Sequence, residues 1–188
     1  MKILPPLCAA LALVGVTPAF AQQVVPVGAF DSVELEGGGH VIVRSGDVQR
    51  VQLLHGDLAN TRFTVNGEGK LRIEACNDDC PHHYDLEVEI TTPRIKALAI
   101  SGGGAIESAD NFASARHLAL AVDGGGTIDA RSVDAEMAEA AVNGGGLIKL
   151  RAHGELTAAV DGGGEIRYWG NPHVTQAVDG GGEVKRGE

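Results

Sequence analysis

The chain has 188 residues with a formal net charge of −10, from 25 Asp and Glu against 15 Lys and Arg, and only 4% of its residues are aromatic. It has no Lys/Arg cluster able to neutralise a phosphate backbone, which excludes nucleic acid and anionic membrane as natural partners and leaves the acidity as a source of solubility. The interior has to be built from Val, Ile, Leu and Ala, at a length that fits one domain.

Lys2 stands before an apolar stretch over residues 7–16, and Ala19-Phe20-Ala21 has the small-x-small pattern of a signal-peptidase site. Residues 1–21 are therefore expected to be a cleaved signal peptide, leaving Gln22 first and a net charge of −11. The apolar stretch falls far short of the roughly 20 residues a membrane-spanning helix needs. Cys8, in "LPPLC", stands in the wrong context for a lipid attachment site, and no later segment is long and apolar enough to span. Residues 22–188 read as one exported domain, periplasmic or at the cell surface, divided into irregular strands over 22–94 and regular rungs over 95–185.

The first part is strand-like throughout: "DSVELEGGGHVIVRSGD", "RVQLLHGD", "RFTVNGEGKLRIEA" and "YDLEVEITTPRIKALAIS" alternate apolar and polar residues. Asn66-Gly67-Glu68-Gly69 reads as a hairpin turn, and Pro93 marks a break before the rungs. "EACNDDCPHHYD" holds Cys76 and Cys80, the two cysteines outside the signal. A disulfide between them is expected in an oxidising compartment. The alternative is a metal site using Cys76, Cys80, His82 and His83, in a pattern poorly spaced for zinc.

From Ala99 onward one unit repeats: "AISGGGAIE", "AVDGGGTID", "AVNGGGLIK", "AVDGGGEIR" and "AVDGGGEVK". Triplets start at Gly37, Gly102, Gly124, Gly144, Gly162 and Gly180, with spacings of 65, 22, 20, 18 and 18. Periods near 20 signal a solenoid, and the gap of 65 is expected to hold about three units without a visible triplet. A helical solenoid is excluded because each glycine costs roughly 1 kcal/mol in a helix interior. In "HLALAVDGGGTID" the alternation puts Leu118, Leu120, Val122 and Ile128 on one face and Ala119, Ala121 and Asp123 on the other. Aligned copies stack Ile100, Val122, Val142, Val160 and Val178 in one interior column, and Ile106, Ile128, Ile148, Ile166 and Val184 in a second.

The triplets admit two readings. A strand running straight through would point Gly124 and Gly126 inward and Gly125 outward, whereas a corner would use glycine for its free access to positive φ. On a straight strand Gly125, Gly145, Gly163 and Gly181 form a ribbon without side chains, bordered by Asp123, Asn143, Asp161 and Asp179. Such a ribbon would let a glycan or a second copy approach closely. Ser101 precedes the acidic column, whose neighbours lie about 4.8 Å apart and repel. A straight strand would also bring Glu165 and Glu183 beside Asp161 and Asp179, a four-carboxylate patch able to hold calcium, unless Lys149, Arg167 and Lys185 neutralise it without an ion.

The order "FDSVELEGGGHVIVRSGD", "VNGEGKLRIEA", "LEVEITTPRIKALAISGGGAI" and glycine-rich rungs resembles the auto-transporter adhesin head domain, the GIN domain, over residues 30–185. The resemblance implies an all-β, single-stranded right-handed parallel β-helix, exported, with no established activity. Rungs of that family usually read Ser-Gly-Ser-Gly, where this chain has Asp or Asn before three glycines, so a serine-based surface role is not carried over.

The leading expectation is a non-enzymatic envelope module binding a glycan or protein, or itself, through a flat face. A carbohydrate-active β-helix enzyme is the first alternative, and it has little to work with. These rungs are too short to wall a groove, and Ser101, Ser108, Ser114 and Ser132 lie in no nucleophile pattern. Trp169, with Tyr168 and His173, reads as a packed aromatic turn in preference to a sugar platform. A small metal-binding envelope protein is the second alternative.

Overall fold

The computed structural model describes residues 23–76 and 84–188, and all regular structure there is strand. The strands are β1 (Gln23–Val25), β2 (Ser32–Gly37), β3 (His40–Ser45), β4 (Arg50–His55), β5 (Arg62–Val65), β6 (Lys70–Glu74), β7 (Glu87–Thr92) and β8 (Ala97–Gly102). Then follow β9 (Ala105–Ser108), β10 (Ala115–Gly124), β11 (Thr127–Gly144), β12 (Leu147–Gly162), β13 (Glu165–Gly170), β14 (His173–Gly180) and β15 (Glu183–Arg186).

Parallel pairing sorts them into two walls. The first wall runs β6, β2, β8, β10, the second halves of β11 and β12, and β14. The second runs β7, β3, β9, the first halves of β11 and β12, β13 and β15. Each triplet carries the chain from the first wall to the second, and β11 returns to the first wall through a register irregularity between Ala130 and Asp134. This is a β-solenoid. Its two expected interior columns are in register and buried from Ile100 to Val160 and from Ile106 to Ile166.

The gap of 65 residues does not hold three hidden units in sequence. The chain doubles back, and β6 and β7 stack on the far side of β2 and β3, so the first coil in sequence is the second in space. Antiparallel β5 on β6, β4 on β7 and β1 on β4 then close that end. The physical reason is that the first coil of a solenoid exposes both its core and its strand edges, and antiparallel strands cover them. Leu71, Ile73, Val88 and Ile90 are all fully buried as a result.

Candidate functional site

The triplets are corners, and their three glycines are present for different reasons. In each, the first has positive φ, between 95° at Gly37 and 127° at Gly102, which L-residues rarely adopt. A Cβ on Gly124 would also lie 2.6 Å from the carbonyl oxygen of Gly102 in the adjacent coil. That oxygen accepts a hydrogen bond from the Gly125 N–H at 3.0 Å, and Gly145 N–H repeats the contact to Gly124 at 2.9 Å, so the coils are laced together at the corner. The third glycine is buried: a Cβ on Gly126, Gly146 or Gly164 would overlap Ile100, Val122 or Val142 of the coil beneath. The middle glycines Gly125, Gly145, Gly163 and Gly181 have open space where a Cβ would go, and no positive φ. The straight ribbon is thereby corrected to an exposed ridge, because the positive φ at the first glycine turns the chain and the missing Cβ at the third lets it pass close over the coil beneath.

The acidic column lies on the first wall beside this ridge. Glu36, Ser101, Asp123, Asn143, Asp161 and Asp179 are successive register partners. Asp123, Asn143, Asp161 and Asp179 are exposed, and among the described residues none of the three aspartates makes an ion pair. Next to it runs a column of alanines, Ala99, Ala121, Ala141, Ala159 and Ala177, again in register. Together they line a shallow open groove on the first wall. The sequence reading placed Ala119 and Ala121 outward but missed the alanine floor. Its signal was present: alanine recurs at the outward position three before each triplet from Gly102 onward.

Glu165 and Glu183 lie past the corner, on the second wall, and so are not gathered with Asp161 and Asp179. Glu165 accepts hydrogen bonds from Arg167, and Lys185 Nζ stands 3.1 Å from Glu165 and 2.8 Å from Glu183. The Arg167 hydrogen bond, aided by Lys185, holds the Glu165 carboxyl below its usual range. Lys149, Arg167 and Lys185 do form a column, continuous with Asp129. Asp129 is partly desolvated, which opposes its charge, but hydrogen bonds from Arg131 and the nearby Lys149 outweigh this and lower its pKa. Among the described residues no group of three or more His, Cys, Asp or Glu is placed to hold a metal ion.

Cys76 follows Ala75, whose N–H donates to Glu36 O at 2.9 Å, while Leu86 O accepts from His40 N–H at 2.8 Å. Cys76 is disulfide-bonded. Cys80, His82 and His83 lie outside the described residues. Trp169 is packed: its Nε1 donates to Glu188 O at 3.0 Å, the Arg131 guanidinium sits 5.0 Å from its ring centroid, and Gly187 lies against the ring. Tyr168 packs on the core, and His173 is exposed at the start of β14. Ser108 and Ser132 hydroxyls bond each other at 2.6 Å, while Ser114 Oγ donates to Asp134 O.

The family model described as "putative auto-transporter adhesin, head GIN domain" matches residues 29–117 and 112–172. Among solved structures, a putative adhesin from Bacteroides fragilis is similar at 17% identity and a TM-score of 0.55, covering 92% of this chain and 100% of that one. Putative adhesins from Parabacteroides distasonis (16% identity, TM-score 0.45) and Parabacteroides merdae (13%, 0.43) each cover 89% of this chain and 96% of their own. No curated protein matches.

Proposed function

We propose that this chain, which belongs to the family of auto-transporter adhesin head GIN domains, is an exported, non-enzymatic adhesin-like module that docks an envelope glycan or protein on its first wall. The observation that carries this reading is the contrast between the walls. On the second, charges are spent on each other; on the first, an alanine floor faces solvent beside Asp123, Asp161 and Asp179, none of which makes an ion pair among the described residues. Alanine presents a flat sheet surface with little side-chain entropy to lose on contact. The carboxylates and Asn143 offer hydrogen-bond acceptors along one edge, suited to sugar hydroxyls or protein N–H groups. The bare ridge of middle glycines lets a flat partner reach that rim.

A non-enzymatic role accords with the hydroxyls of Ser108, Ser114 and Ser132, which bond one another or the backbone, and with a Trp169 ring held against Arg131 and Gly187. The test is retention of the purified protein on envelope fractions and on immobilised envelope glycans. Ala141→Lys with Ala159→Lys is expected to lower retention about tenfold or more, as for a central interface substitution, with an unchanged melting temperature. Full retention by that variant would remove the first wall from consideration.

A further inference from the structure

The two ends of the solenoid are finished differently. At the β6–β7 end Ile73 is fully buried, whereas at the other end Val178 is 42% exposed and Val174 and Val184 are only partly covered. Among the described residues β14 pairs with β12 alone and β15 with β13 alone, so each leaves one edge without a strand partner there. A free, regular strand edge is a template for another strand.

The residues of β14 specify what fits. At the position equivalent to Thr175, the Ala119 N–H donates to Lys96 O at 2.9 Å, back toward the preceding coil. Because backbone groups alternate along a strand, Val174, Gln176 and Val178 turn theirs toward the free edge. Two copies of β14 related by a two-fold axis pair antiparallel, and the registers allowed by this alternation place outward-turned residues opposite one another. Centred on Gln176, the register sets Val174 against Val178 of the second copy, the two Gln176 amides against each other, and His173 against Asp179 of the second copy. Shifting the axis by one residue in either direction sets Gln176 against a valine. Only the Gln176-centred register matches apolar with apolar, amide with amide and imidazole with carboxylate.

We infer that the open end of the solenoid is a self-complementary docking edge for a second copy of this chain, joined through antiparallel β14 strands centred on Gln176. The contact is isologous and closes at the dimer. It is small, one strand of about 26 Å by one sheet thickness of about 10 Å, so the dimer is weak and is populated only at high protein concentration. β14 also carries Ala177 and Asp179, the last members of the floor and the rim, so the contact adjoins the floor at this end and leaves its central part, from Ala121 to Ala159, open.

Sedimentation equilibrium of the purified protein from about 1 to about 300 µM tests it, a range set by the affinity expected of so small a contact. The average mass is expected to rise toward that of a dimer. Gln176→Pro removes one edge-facing N–H and no bond within the chain, and it is expected to leave a monomer throughout with an unchanged circular dichroism spectrum. His173→Asp sets aspartate against aspartate twice per dimer and is expected to weaken association about tenfold. Adding Asp179→Lys to that variant restores opposite charges and is expected to recover it, a rescue that a folding defect would not show. A wild-type monomer at about 300 µM, assembly beyond the dimer, or a dimer indifferent to Gln176→Pro and His173→Asp would each overturn the inference.

Discussion

The two walls of this solenoid share one backbone, one period and one interior, yet their outer surfaces are opposites. Around the triplets the first wall shows Ala121, Ala141 and Ala159 with Asp123, Asn143 and Asp161; the second shows Asp129, Lys149 and Arg167 with Glu165. Outward positions do not decide whether the coil forms, because the interior columns and corner hydrogen bonds are the same for both. The second wall uses that freedom for alternating charge, which discourages other strands and surfaces from adhering. The first wall pairs Glu34 and Glu36 with Lys70 and Arg72 but leaves Asp123, Asp161 and Asp179 without ion-pair partners among the described residues, so this is where a ligand's donors would be welcome.

The largest expected effect comes from breaking what the walls share. Val142 is buried between Val122 and Val160, and Val142→Asp places an unpaired carboxylate in that column. A loss of about 3 kcal/mol or more is expected, or failure to fold, measured by chemical denaturation. A variant melting like the wild type would mean the column is not interior.

The corner that joins the walls gives the next effect, and a contrast inside one triplet. Gly144 has φ of 115° and a Cβ there would stand 2.7 Å from Gly124 O, whereas a Cβ on Gly145 meets nothing within 4 Å. Gly144→Ala is expected to cost roughly 1–3 kcal/mol, and Gly145→Ala to fall within about 0.5 kcal/mol of wild type. Equal losses at both positions would mean that the triplet is not divided as described.

How much of this was legible beforehand differs by region. The interior columns from Ile100 to Val160 and from Ile106 to Ile166 were readable because alternation and period are local properties, whereas Val178 and Val184, expected in the same columns, keep the register but are left only partly covered because among the described residues no further coil stacks on them. The choice between straight strand and corner was not, since it depends on contacts such as Gly126 against Ile100, made between coils and invisible within one triplet. The doubling back of β6 and β7 was likewise hidden: Val33 pairs with both Leu71 and Leu98, and all three lie in the same alternating pattern. The covering of Trp169 by Arg131 and Gly187 depends on residues remote from it in sequence, so only the aromatic cluster itself was visible. At the candidate site the acidic column was legible from its charges, whereas the floor exists only once coils stack alanine on alanine, which no single repeat shows.

The smallest effects bear most directly on the difference between the walls, and they have opposite signs. Asp129 on the second wall has Arg131 Nη2 at 2.7 Å and Lys149 Nζ at 3.6 Å, and its side chain is 18% exposed. Because its pKa is lower folded than unfolded, its stabilisation is present above the ordinary carboxylate value of 3.8 and is lost as pH falls through the depressed one. Asp129→Asn should therefore cost about 1 kcal/mol at pH 7 and flatten the loss of stability below about pH 4. Asp161 on the first wall has no cation to lose and stands in register with Asp179 across neighbouring strands. Removing its charge relieves a repulsion between carboxylates about 5 Å apart. Asp161→Asn is thus expected to raise the melting temperature slightly at low salt, with the gain fading as ionic strength approaches about 0.5 M, where screening is strong. If the two variants shifted stability in the same direction, Asp161 would be paired after all, and the contrast that nominates this wall for docking would fail.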